Sequence, residues 1–100
     1  MARMRYEIVL APQAVQDLKR LRAYVRAEVK DAIETHLRRE PTKVSRRRIK
    51  RLRGLDQPQF RLKVDEVRVF YDVVAKEVQI LAIVNKADAA AWLAKVGKPS

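Results

Sequence analysis

FRLKVDEVRVFYDVVAKEVQILAIV, residues Phe60–Val84, decides the fold. Phe60, Leu62 and Val64 alternate with Arg61 and Lys63. Val67, Val69, Tyr71 and Val73 alternate with Arg68, Phe70 and Asp72. Val78, Ile80, Ala82 and Val84 repeat the pattern beyond Ala75-Lys76. A period of two marks strands with one face turned to a core. Connectors of about two to four residues between the runs make an antiparallel meander. The last run is apolar on both faces, which suits a central strand.

Upstream, Tyr6, Ile8 and Leu10 predict a further strand, and Pro12 is suited to the first turn of a helix. Ala14, Val15, Leu18 and Leu21, then Val25, Val29, Ile33 and Leu37, form an apolar stripe at helical spacing. One helix of that length is unusual in a small domain, so a helical hairpin bending near Arg22–Tyr24 is expected, with Pro41 ending its second arm. Thr42–Gly54 reads as a charge-rich stretch and Gln57-Pro58 as a turn. Ala87–Val96, with Trp92 and Leu93, reads as a short helix whose first turn Asp88 stabilises. The prediction is an α+β fold in the order β-α-α-β-β-β plus a short C-terminal helix. It forms a small antiparallel sheet with an N-terminal helical hairpin, as one domain over residues 1–96 with a tail at 97–100.

The 100 residues include 48% hydrophobic ones, enough for a core of their own. The chain has no cysteine, which excludes a disulfide framework, a thiolate metal site and a cysteine nucleophile. No apolar run is long enough to span a bilayer, and the one after Met1–Arg5 is too short for a signal sequence. The expected location is the cytoplasm, away from membrane. Net charge is +11, from 23 Lys and Arg against 12 Asp and Glu. Such self-repulsion points to a polyanionic partner, nucleic acid first and an acidic protein second.

Two constellations carry the chemistry. Arg38, Arg39, Lys43, Arg46, Arg47, Arg48, Lys50, Arg51 and Arg53 crowd one segment in which Glu40 alone opposes them. Arg46–Arg48, Lys50, Arg51 and Arg53 are the expected RNA-binding set, since guanidinium forks match phosphate oxygens and counterion release drives binding. On the meander, alternation places Arg61 and Lys63 on one face, with Arg68 and Phe70 beside them on the next strand. Such a face holds a phosphodiester and stabilises charge developing on it. His36 is expected to be structural or exposed, and Trp92 and Tyr24 to anchor the core. Ser45, the one serine before the tail, has no base near it in sequence. No metal-ligand cluster or phosphate loop is present.

Tyr6-Glu-Ile-Val-Leu10, the Leu18-Lys-Arg-Leu21 helix, Lys50-Arg-Leu-Arg-Gly54, Phe60-Arg-Leu-Lys-Val64 and Val67-Arg-Val-Phe-Tyr71, in that order, resemble the RelE/ParE toxin superfamily. The resemblance covers nearly the whole chain. It implies the toxin of a bacterial type II toxin–antitoxin system, held by a cognate acidic antitoxin. RelE-like members are mRNA interferases. They inhibit translation as endoribonucleases on the ribosome, amid rRNA and mRNA, using the RNA's own 2′-hydroxyl and no cofactor or metal. By position, Arg61 and Lys63 match the paired basic residues of that family and Arg68 the arginine of the following strand. Lys86 lies close to where an arginine is expected after the last strand. The resemblance implies that Arg61 and Arg68 hold the phosphate and that Lys63 moves the proton. The expected C-terminal tyrosine is missing, with Trp92 or Leu93 in its place. ParE-like members share the fold and inhibit DNA gyrase without enzymatic chemistry, which is the alternative.

Overall fold

The computed structural model describes residues 5–100, so Met1–Met4 of the N-terminal stretch lie outside it. Strand β1 (Glu7–Leu10) leads into helices α1 (Pro12–Arg20) and α2 (Ala23–Ala32), which continues as a π-helical turn over Ile33–Leu37. Strands β2 (Ile49–Arg51), β3 (Leu55–Gln57), β4 (Phe60–Val64), β5 (Val67–Val74) and β6 (Glu77–Asn85) follow, then α3 (Lys86–Val96) and β7 (Lys98–Pro99). The main sheet has the order β1-β6-β5-β4-β2. β1 pairs with β6 in parallel, and the other pairs are antiparallel. The meander, the interior place of β6 between β1 and β5, and the helical hairpin all match the sequence reading.

The hairpin breaks at Leu21 and Arg22, whose ψ values of 148° and 150° leave the helical region. Extended backbone is open to any L-residue, so no glycine or proline marks the break. Pro12 occupies the start of α1, and Lys19 and Arg20 complement the dipole at its end. The second arm ends at Leu37 rather than at Pro41. Pro41 is instead buried, and its carbonyl accepts the Tyr71 hydroxyl at 2.6 Å.

The hairpin covers one face of the sheet. Ala14, Val29, Ile33 and Leu37 pack there against Ile49, Leu62, Val69, Tyr71 and Ile80. Asp17 ties α1 to β6, its Oδ2 accepting the Ile83 N–H at 2.9 Å. Buried Asp72 accepts from the Gln57 side chain at 2.7 Å and the Gln59 N–H at 2.8 Å, which anchors the β3–β4 link to β5.

Three further findings correct the sequence reading. The charge-rich stretch contains a strand, β2, because Ile49 is buried and pairs with Leu62. The expected tail is not free: Lys98 and Pro99 pair with β3, and the Ser100 N–H donates to the Gly54 carbonyl at 3.0 Å. Gly97 permits this return, since a Cβ there would lie 2.6 Å from the Leu93 carbonyl oxygen. Tyr24 is no core anchor; it is 71% exposed on the first turn of α2.

Burial pushes the Tyr71 phenol well above its ordinary range. The folded state therefore keeps its proton at pH values where the unfolded chain has released it. This contribution is whole below about pH 10, the ordinary tyrosine value, and is lost as pH climbs from there towards the raised folded value. Urea midpoints should fall from about pH 10 upward, less steeply in Tyr71→Phe than in wild type. Equal slopes would show that Tyr71 ionisation does not limit alkaline stability. At neutral pH, Tyr71→Phe should cost about 1–2 kcal/mol, because the buried Pro41 carbonyl loses its donor.

Candidate nucleic-acid interface

The sheet face turned away from the hairpin carries the cations. Register places Lys63 opposite Arg68 and Arg61 opposite Phe70 across β4 and β5. On the other side Lys50 lies opposite Arg61, and the Lys63 N–H donates to the Arg48 carbonyl at 2.8 Å. Arg61, Lys63 and Arg68 thus share one face as alternation predicts, and β2 adds Lys50. Lys86 begins α3 one residue beyond Asn85, the partner of Val67, and its N–H donates to the Glu66 carbonyl at 2.7 Å. It stands at the same end of the face as Lys63 and Arg68.

These side chains are not equivalent. Lys63 and Lys86 are exposed and Arg61 is half-buried. Arg68 is only 6% exposed, with its Nη1 donating to the carbonyls of Asp65 at 2.7 Å and Val67 at 3.1 Å. That bond closes the tight turn in which Asp65 takes a φ of +53°. Burial, and then the neighbouring Arg68 charge, lower the Arg61 guanidinium from its ordinary range. The Arg61 Nε is buried and meets no acceptor among the described residues. Arg61 thus feels the charge of Arg68, and neither guanidinium forms a salt bridge among the described residues, an arrangement that phosphate oxygens relieve.

Phe70 separates Arg61 from α3. The Trp92 indole stacks on the Phe70 ring, with centroids 4.9 Å apart and planes inclined by 13°. Trp92 is half-buried, and its Nε1–H also lacks a partner among the described residues. It anchors a helix that buries no residue of its own. The sequence placed Trp92 in the core; its partner is instead the outer sheet face.

Arg46, Arg47, Arg48, Lys50, Arg51 and Arg53 are all exposed. The Ser45 Oγ accepts from the Arg48 and Ile49 N–H groups at 3.1 and 3.3 Å, which orders the entry into β2. Arg51 is fixed by its bond to the Gln59 carbonyl at 3.0 Å and lies 5.1 Å from the centroid of the Phe60 ring. The cations flank a short edge strand whose Lys50 joins the sheet face. Half-buried His36 stands at the end of the second arm, away from this face. No group of three or more His, Cys, Asp or Glu side chains is arranged for a metal among the described residues.

Comparison with known proteins agrees with this architecture. The archaeal RelE–RelB complex of Pyrococcus horikoshii superposes with a TM-score of 0.68 at 22% identity, covering 83% of this chain and 97% of that one. The RelBE2 toxin–antitoxin complex of Mycobacterium tuberculosis gives 0.66 at 25% identity, covering 81% and 98%. A double mutant of the E. coli RelE toxin in the free state gives 0.66 at 21% identity, covering 91% and 93%. No curated protein matches in sequence. A family model described as the ParE toxin of the type II toxin–antitoxin system parDE matches residues 8–90. The chain therefore belongs to the ParE toxin family of type II toxin–antitoxin systems, within the RelE/ParE superfamily.

Proposed function

We propose that this toxin cuts mRNA on the ribosome and is held inactive by a cognate antitoxin. The observation that supports it best is Arg61, a half-buried guanidinium beside a second one, with a buried N–H awaiting an acceptor. A scissile phosphate seated there supplies that acceptor. The 2′-oxygen of the preceding ribose attacks phosphorus, its proton passing to water, and the bond to the 5′-oxygen breaks. Charge rising on the non-bridging oxygens is met by Arg61 and Arg68. Lys63, exposed on the same face, donates a proton to the departing 5′-oxygen, while Lys86 steers the strand at the end of the face. The products are a 2′,3′-cyclic phosphate and a 5′-hydroxyl. Most of the catalysis is positioning and charge stabilisation, so a face without a nucleophile suffices.

Arg46–Arg48, Lys50, Arg51 and Arg53 bind RNA phosphates of the ribosome–mRNA complex. Neutralising about four phosphates of a single strand gives a log–log salt slope near −2.8, so affinity should fall roughly 50-fold between 50 and 200 mM salt. Filter binding of a labelled oligoribonucleotide reads this slope; a flat dependence would remove the electrostatic basis of the proposal. The antitoxin is expected to be an acidic segment that orders on this surface, and the antitoxin-bound structural neighbours support such a partner.

Two observations favour the gyrase reading: the family model that matches is that of the ParE toxins, and among the described residues the sheet face beside Arg61 and Arg68 offers no phenol or imidazole, only lysines, to move a proton. Inducing the chain in a bacterial host decides. Primer extension should map cuts inside translated codons that vanish when translation is blocked. Intact mRNA with inhibited supercoiling would replace the nuclease by a gyrase inhibitor.

A further inference from the structure

On the far side of β2 from the sheet face, a cleft of about 480 Å³ opens between the π-helical turn and the basic loop. Its walls include His36 from the turn and Lys43, Ser45, Arg46, Arg47 and Arg48 from the loop. Glu40 is the one carboxylate among its lining residues, and the Lys43 ammonium already engages it at 3.2 Å. π-Helical turns are rare and tend to accompany functional sites. This one sets His36 into the cleft wall, half-buried beside Arg48.

We infer that this cleft seats a second backbone phosphate of the bound RNA, held by Arg48 with Arg46, Arg47, Lys43 and the His36 imidazole. The inference rests on the RNA-directed reading of the sheet face and extends it around the edge of β2. Continuity supports RNA as the occupant. The Arg48 carbonyl accepts the Lys63 N–H, and Lys50, two residues on, faces Arg61. One phosphodiester backbone can therefore pass from Arg61 over Lys50 into the cleft. The acidic groups nearby, Glu28 and Asp31 on α2 and Asp65 in the β4–β5 turn, line a neighbouring hollow that shares His36 and Arg48. They oppose an acidic peptide lying across both hollows while leaving the basic one open.

The state of His36 gives this placement a readout. Burial, then the Arg48 charge, lower the imidazole below its ordinary range, against an opposing pull from Asp31. A phosphate in the cleft cancels the Arg48 effect and favours the protonated ring.

His36 is the only histidine of the chain, so its ring signals are unambiguous. The test is NMR of the isotope-labelled full chain, titrated in pH with and without decauridylate. The His36 titration should move to higher pH with the oligonucleotide. In Arg48→Ala it should start higher and no longer respond; Lys43→Ala should show a reduced response. An unmoved His36 with shifted Arg61 and Lys63 amides would overturn the cleft while sparing the RNA-directed reading. If neither region responds, both fall. A response to inorganic phosphate or polyglutamate, but not to decauridylate, would replace RNA as the occupant.

Discussion

Arg61→Ala should abolish growth arrest and slow mRNA cleavage by about 10²–10³-fold, the effect of removing one preorganised donor from a developing oxyanion. The variant should fold as well as wild type. Arg61 reaches partly into solvent, its Nε bonds to nothing among the described residues, and its neighbour Arg68 repels it. Removing it relieves desolvation and repulsion together, so the urea midpoint should stay the same or rise. That combination separates a functional arginine from a structural one. Arg68→Ala does not offer the same clarity, because its Nη1 holds two carbonyls of the β4–β5 turn. Loss of toxicity there mixes a missing cation with a loosened turn. Full activity of a folded Arg61→Ala variant would remove the phosphate seat from the sheet face.

Leu62→Ala should cost about 3 kcal/mol, within the range for emptying a fully packed leucine site. Leu62 is wholly buried and pairs with Ile49 on one side and Val69 on the other. It holds β2 and β5 to β4 on the face that the helices cover, so the cavity cannot collapse without moving three strands. The loss is a large share of the stability of a domain this size, and the melting temperature should drop by roughly 10–20 °C. Lys63→Ala, the next residue but on the opposite face, should stay within about 0.5 kcal/mol of wild type. A Leu62→Ala midpoint within error of wild type would mean that this face is not the core.

The meander was legible because the runs of β4 and β5 alternate cleanly, and there alternation assigns faces as well as strands. In β6 a register shift opposite Phe70 and Tyr71 breaks the expected phase, so Ile83 joins Val78 and Ile80 in the core while Ala82 and Val84 lie opposite Phe70 and Arg68. The pairing of Lys63 with Arg68 and of Arg61 with Phe70 follows from a two-residue turn at Asp65-Glu66. Strand β2 was illegible because one apolar residue, Ile49, sits among cations, and no period can be read from one point. β7 was hidden for another reason: Lys98 and Pro99 gain strand character only from the distant partner β3. Tyr24 misled because a large aromatic favours burial, yet on the first turn of α2 after the α1–α2 break it is exposed. The burial of Arg68 also lay beyond the sequence. Alternation marks it as facing away from the core, but only the turn at Asp65 shows that its guanidinium folds back on the backbone.

The most direct measurement adds the purified chain to bacterial ribosomes programmed with a defined mRNA and follows cleavage over time. The expected result is a cut within the codons of the ribosome-bound mRNA, absent when the same mRNA is free of ribosomes and at least about 100-fold slower with Arg61→Ala. Intact mRNA at saturating protein, with DNA gyrase supercoiling blocked by the same preparation, would contradict it.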